Sequence, residues 1–269
     1  MEVDVYNEEG SVSGRASVPD LFSASFNKDI VLRALLAEQS LNYTPQGRDP
    51  LAGLRTSATY VGRYNTYRTL RHMGVAIRPR QKLAKGAMGE VRRIPSARKG
   101  RRAHPSKVEK KIVERINRKE YVKALEMAIA ATASEEAKKQ HLFTGNTPIV
   151  VSASAEHISK AKKVYGLLEK LGLKADLEKS HKPELRKGVR RLARQRHFRK
   201  SVVIIVSNEA AELAKAARNI PGVDVVSASR LSVSTLAPGG MPRLAVWTEP
   251  ALNEAKAQIE KMRMKGEGR

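Results

Sequence analysis

No cysteine occurs among the 269 residues, which excludes disulfides and thiolate metal sites. That usage fits a reducing cytoplasm. Aromatic residues make up only 4% of the chain, so a core must be assembled from Val, Ile, Leu and Ala. No apolar run approaches the ~18–20 residues of a transmembrane helix. The opening MEVDVYNEEG lacks the charged-then-apolar order of a secretory signal. Acids are scarce as well, 27 against 51 Lys and Arg, for a net charge of +24.

Catalytic and cofactor motifs are missing too. There is no G-x-G-x-x-G after a strand, no G-x-x-x-x-G-K-[ST] loop, no H-E-x-x-H and no G-x-S-x-G. The fragment Gly86-Ala-Met-Gly89 is too short to cradle phosphates. Pro238-Gly239-Gly240 is a turn far more often than an anion cradle. The six histidines (72, 104, 141, 157, 181, 197) show no ligand spacing. Four of them, His72, His104, His181 and His197, lie in or beside basic blocks, where contact with phosphate or solvent suits them better than a metal. The expectation is a protein with no catalysis, no metal and no cofactor.

What is present is sorted charge. Residues 55–107 hold fifteen Lys or Arg and one acid, Glu90, for +14. Residues 179–200 hold ten against one acid, Glu184, for +9. The remainder is left at +1. General basicity would say little about partners, but charge confined to two segments of a neutral body reads as a footprint for a polyanion.

The rest of the chain reads as one three-layer α/β domain. Val3 and Val5 alternate with acids, Asn7 to Gly10 turns, and Val12 to Val18 returns, which predicts an N-terminal hairpin. Apolar spacing predicts a helix over 28–41, and another over about 119–133 with Asn117 and Glu120 as a capping box. A charged helical run is expected after Ser106, with Ile112 and Ile116 four apart. Four short apolar runs, 147–152, 201–207, 223–227 and 243–248, alternate with helical segments at 155–171, 209–218 (capped by Asn208) and from about Pro250 to Met262. Strands apolar on both faces and alternating with helices predict a mostly parallel sheet covered on both sides. The expected organisation is a body of residues 1–54 and 108–264, an inserted arm at 55–107, a second basic loop or helix at 179–200 and a frayed tail at 265–269.

Arginine dominates the first basic block: Arg55, Arg63, Arg68, Arg71, Arg78, Arg80, Arg92, Arg93, Arg98, Arg101 and Arg102, against Lys82, Lys85, Lys99 and Lys107. Guanidinium groups bind phosphate bidentately and stack on bases. Tyr60, Tyr64 and Tyr67 offer stacking faces, though their spacing also suits a short local helix. Pro79, Pro95, Pro105 and five glycines keep the block out of regular structure. Folded back once on itself, it has limbs of about 26 residues that reach on the order of 80 Å when extended. The second block contributes Arg190, Arg191, Arg194, Arg196 and Arg199. Two rivals to RNA anchoring fare worse. An RNA-modifying or RNA-cleaving enzyme needs a cofactor loop or an acid/base cluster. A DNA-compacting protein spreads its charge over the body.

Three motifs narrow the reading: Leu51-Ala-Gly-Leu-Arg-Thr-Ser57, Gly89-Glu-Val-Arg-Arg-Ile-Pro95 and Lys99-Gly-Arg-Arg-Ala-His-Pro-Ser-Lys107, followed by a helix ending in Ala-Ile-Ala-Ala-Thr-Ala133. With Leu236-Ala-Pro-Gly-Gly240 and Thr248-Glu-Pro-Ala-Leu252, they run in order across the chain. The sequence resembles the universal large-subunit ribosomal protein four, in its archaeal and eukaryotic version. The resemblance implies a Rossmann-like body and a long arm reaching through large-subunit (23S-type) ribosomal RNA to the peptide exit tunnel. It implies contacts with neighbouring ribosomal proteins and with the nascent chain at the arm tip, near Val75 to Gly89, and none with membrane. By the same resemblance, Arg92, Arg93, Lys99, Arg101, Arg102, His104 and Lys107 lie along an RNA-embedded return limb.

Overall fold

The computed structural model describes residues 2–18, 20–67, 69–185 and 196–267. They fall into two compact units, one of residues 1–42 with 113–269 and one of residues 43–112.

In chain order the elements begin with β1 (Glu2–Tyr6), β2 (Val12–Ser17) and α1 (Lys28–Leu41). Next come β3 (Arg80–Lys82), β4 (Met88–Val91), α2 (Arg118–Ala131) and α3 (Glu135–His141). They continue with β5 (Ile149–Val151), α4 (Ala161–Leu168), α5 (Lys174–His181), β6 (Glu184–Leu185) and β7 (Arg196–His197). The last are β8 (Val203–Val206), α6 (Glu212–Ala217), β9 (Asp224–Ser227), α7 (Val233–Leu236), β10 (Ala245–Thr248) and α8 (Glu249–Glu267).

A six-stranded sheet, ordered β2-β1-β5-β10-β8-β9, is the middle layer of the first unit. β1 and β2 are antiparallel and every other pairing is parallel. The central strands bury both faces, and residue parity decides which side each packs on. Val150, Val203, Ile205, Ala245 and Trp247 face α1, α2, α7 and α8. Ile149, Val151, Ile204, Val206 and Val246 face α3, α4, α5 and α6. This is the three-layer, mostly parallel architecture that the apolar runs predict. Each fully buried Leu or Ile contributes about 1.5–3 kcal/mol relative to exposure. Trp247 is wholly buried and meets Phe22 edge-on at 5.7 Å.

Helix α1 begins where its spacing predicts, because the Asn27 side chain accepts from the Asp29 and Ile30 amides at 3.0 and 3.4 Å. Other boundaries differ, each for a local reason. No helix follows Ser106. After a turn at 108–110 the chain runs on without regular structure to Asn117, and the Glu114 amide donates to Ser40 Oγ at 2.9 Å instead of closing a helical turn. Asn117 does precede α2 but makes no side-chain cap. The stretch at 155–171 starts as a 3-10 turn, becomes α4 at Ala161 and loosens into a π turn at Gly172, whose φ is +87°. Asn208 accepts from the Ala210 amide at 3.1 Å, an Asx turn that delays α6 to Glu212. Pro238 to Gly240 is a turn packed against Leu32 of α1. The last helix runs to Glu267, beyond the expected Met262.

Candidate nucleic-acid interface

The unit at 43–112 is held by backbone pairing and a few small contacts. At its base the Arg48 amide donates to the Ser106 carbonyl at 3.0 Å. Gly53, at φ +81°, packs so closely that a Cβ there would sit 2.5 Å from the Gly100 oxygen. Farther along, Thr59 and Arg80 exchange backbone hydrogen bonds of 3.1 and 3.2 Å. β3 and β4 then pair antiparallel, with the Leu83 amide donating to the Ala87 carbonyl at 3.1 Å across the turn. Ala58 and Leu70 are buried. The segment is therefore not a single there-and-back excursion. The Thr59–Arg80 clasp closes one loop, 61–79, and the β3–β4 turn makes a second, 83–87. The clasp forms between residues 21 apart in sequence, which a search for periodicity does not detect.

The clasp divides the cations into two kinds. Six of them hold the unit together. Arg55 pairs with Asp49 at 3.1 Å. Arg71 donates to the Gly62 carbonyl at 2.9 Å and lies over the Tyr64 ring at 5.7 Å. Arg78 reaches Ser96, Arg80 reaches the Ala76 carbonyl and Arg93 reaches the Ala58 carbonyl. Arg92, whose side chain is only 14% exposed, binds Glu90 at 2.6 Å and the Arg98 carbonyl at 3.1 Å. Arg63, Lys82, Lys85, Arg98, Lys99, Arg101, Arg102, His104 and Lys107 are exposed, with no side-chain hydrogen bond or ion pair among the described residues. These are the groups available to a polyanion. Arg48, Arg101, Arg102, His104 and Lys107 line one cleft at the base of the unit, together with Asp49, which Arg55 already engages.

Tyr60, Tyr64 and Tyr67 are not helical, and all three rings are exposed. Of six non-glycine residues with left-handed backbone among the described residues, five lie here: Asn65, His72, Lys85, Arg93 and Lys99. Such conformations persist where surroundings over-determine them, and they cluster at binding sites.

The second basic block starts in the last turn of α5 and continues into a two-stranded stem, β6 with β7. His197 lies 3.6 Å from Glu184, and Lys200 pairs with Asp224 at 2.8 Å. Arg199 and Phe198 are exposed beside the stem. Arg196 belongs to β7. Arg68, Arg190, Arg191 and Arg194 lie outside the described residues.

Open α/β sheets bind ligands at the carboxyl ends of their strands, near a switch in strand order. Here that edge is occupied from within. Glu156, on the connection after β5, accepts from the Ser207 amide at 2.9 Å, from Ser207 Oγ at 2.7 Å and from Thr248 Oγ1 at 2.6 Å. Burial would raise its pKa, but the hydrogen bonds from Thr248 and Ser207 outweigh burial and hold the carboxyl below its usual range. An internal carboxylate at this place repels nucleotide phosphates. Asp224 behaves alike: burial opposes its charge, and Arg243 and Lys200 together depress it. Because both folded-state values are lowered, the stability they contribute is present above an unfolded carboxylate value of about 4. It is lost as pH falls through the folded values. Urea midpoints across acid pH should show the loss, and Glu156→Gln should flatten it. An unchanged pH profile in that variant would contradict the assignment.

Among the buried polar groups that sequence reasoning missed is one around Asp176. His141 Nδ1 and Ser201 Oγ both meet Asp176 Oδ2, at 2.9 and 2.5 Å, and all three residues are buried. The carboxylate stands between the serine and the imidazole and holds both. The group ties α3, α5 and the entry to β8 together. No set of three or more His, Cys, Asp or Glu among the described residues is arranged to hold a metal. No helix among them is long and apolar enough to cross a membrane.

Outside its two basic blocks the α/β body is nearly neutral, Glu156 sits at the carboxyl-end edge of its sheet, and a unit rich in exposed cations is inserted into it in sequence. Residues 16–258 match the Ribosomal protein L4/L1 family, and the chain belongs to it. Similar proteins include the large ribosomal subunit protein uL4 of Methanocaldococcus jannaschii, 37% identical over 265 residues, covering 97% of this chain and 100% of that one. The uL4 of Methanococcus vannielii is 38% identical, covering 96% and 100%. That of Archaeoglobus fulgidus is 39% identical over 256 residues, covering 94% and 97%. The family is structural and non-enzymatic, as the missing motifs predict, and these relatives are archaeal.

Proposed function

We propose that this protein anchors large-subunit ribosomal RNA through the exposed cations of residues 43–112. The protein is a structural constituent of the large ribosomal subunit, in the cytoplasm. The observation that carries the RNA reading is the sorting of charge. Nine exposed basic groups without internal partners among the described residues sit within residues 55–107, and the body outside the two basic blocks is close to neutral. Arginine and exposed tyrosine together suit irregular RNA, whose splayed bases stack and whose phosphates take guanidinium forks. The 179–200 block makes a second contact by charge. The distal loops, 61–79 and 83–87, reach the wall of the polypeptide exit tunnel beside the nascent chain. Neighbouring large-subunit proteins complete the surroundings, and the protein supports assembly by holding RNA segments together.

Two measurements test this reading. Large subunits washed in high salt should retain the protein at full stoichiometry while adventitious basic proteins are stripped. Limited proteolysis should cut the free protein within 55–107 and spare that segment in the subunit. Equal cleavage rates in both states would count heavily against the proposal.

A further inference from the structure

The 43–112 unit contains a cavity of about 350 Å³ between the clasp and the β3–β4 turn. That size is at the lower end of the ~300–1,000 Å³ typical of small-molecule sites. Val61, Leu70, Leu83 and Met88 supply apolar walls, and Arg80 and Gln81 supply polar ones. The Gln81 side chain is left with unused hydrogen-bonding capacity. The Gln81 amide nitrogen makes one long contact, 3.4 Å to Thr56 Oγ1, and no hydrogen bond to its carbonyl oxygen is seen among the described residues.

We propose that this cavity receives a single unstacked nucleobase of the RNA. The inference rests on the RNA-anchoring reading and names which part of the RNA is gripped and where. A flat heteroaromatic ring fits between Leu70, Leu83 and Met88. The Gln81 amide reads one edge position of the ring. The adjoining phosphates meet Lys82, which lines the cavity, and Lys85, which is exposed on the turn beside it. That charge favours a nucleotide over a neutral peptide segment.

The test uses the full chain carrying photo-methionine, assembled into large subunits and irradiated. A crosslink from the Met88 peptide to one nucleobase is the expected result. Crosslinks from Met88 to peptide alone, or none, would overturn the proposal. A second variant, Ala87→Phe, fills the cavity from its rim without touching a charge. In subunits that retain this variant, an unpaired base protected in the parent should become reactive to dimethyl sulfate. No change at any base would also overturn the cavity assignment. Retention of the parent protein through a high-salt wash reports separately on RNA anchoring, so failure of the cavity assignment is distinguishable from failure of the anchoring reading.

Discussion

Alanine at Arg98, Lys99, Arg101 and Arg102 together should lower the slope of log affinity against log salt for large-subunit RNA by about 3. The figure follows from ~0.7–0.9 for each phosphate that the variant no longer neutralises. The four side chains are exposed and have no side-chain partner among the described residues. Their removal therefore takes away exposed charge assigned to the RNA by the proposal and leaves the clasp, the Gly53–Gly100 crossing and the β3–β4 pair intact. Arg92 and Arg93 are unsuitable for the same experiment. Their guanidinium groups bind Glu90, the Arg98 carbonyl and the Ala58 carbonyl, so a substitution there mixes local unfolding with weaker binding. Filter-binding titrations from low to moderate salt give the slope directly. A quadruple variant with the parent's slope would mean that the phosphates are met elsewhere.

Arg243→Leu should destabilise the body by about 3–5 kcal/mol, the range for stripping one partner from a buried ion pair. The Arg243 side chain is 2% exposed and pairs with Asp224 at 2.6 Å. It donates to the Val202 and Gly222 carbonyls at 2.9 and 2.8 Å, and to the Ser201 carbonyl. One side chain thus joins the entry to β8, the turn before β9 and the start of β10. Leucine fills the volume but takes one donor from each of three carbonyls, of which Gly222 and Val202 keep a backbone amide from Ser201 and Asp224. Asp224 keeps only Lys200, at 2.8 Å. Lysine is a poor substitute, since one ammonium cannot reproduce the planar fork. Urea denaturation of the free protein measures the loss. A change below about 1 kcal/mol would show that water replaces the carbonyl hydrogen bonds, the low end expected for solvated groups.

Arg243 also marks where reading the chain alone stops working. The run 243–248 reads as a strand, and its apolar members do build β10. Nothing in the run says that its first residue is a buried cation, because the groups that satisfy it lie outside the run, 8 to 42 residues away. The same holds for His141, Asp176 and Ser201. Layers, strand runs and the helix at 28–41 are legible because each is written in local periodicity. The helix expected after Ser106 does not form, because the amide of Glu114 has a better partner in Ser40. Helix α3 escapes a search for stripes although Ser134 caps it, accepting from the Ala137 amide at 3.3 Å, since its seven residues hold too few apolar positions. For the interface, charge locates the block. Only the fold separates the arginines that build it from those that face outward.

The Thr59–Arg80 clasp has a consequence for how such a chain can vary. Two backbone hydrogen bonds seal the 61–79 loop from the base of the unit. Lengthening a closed loop is cheap, about 0.6 kcal/mol for each doubling. Insertions between Val61 and Pro79 would therefore leave the base and its cleft undisturbed. The clasp sets a border in the chain: on one side length is fixed by packing, and on the other the exposed stretch 72–75 is free to follow whatever space the surrounding particle provides.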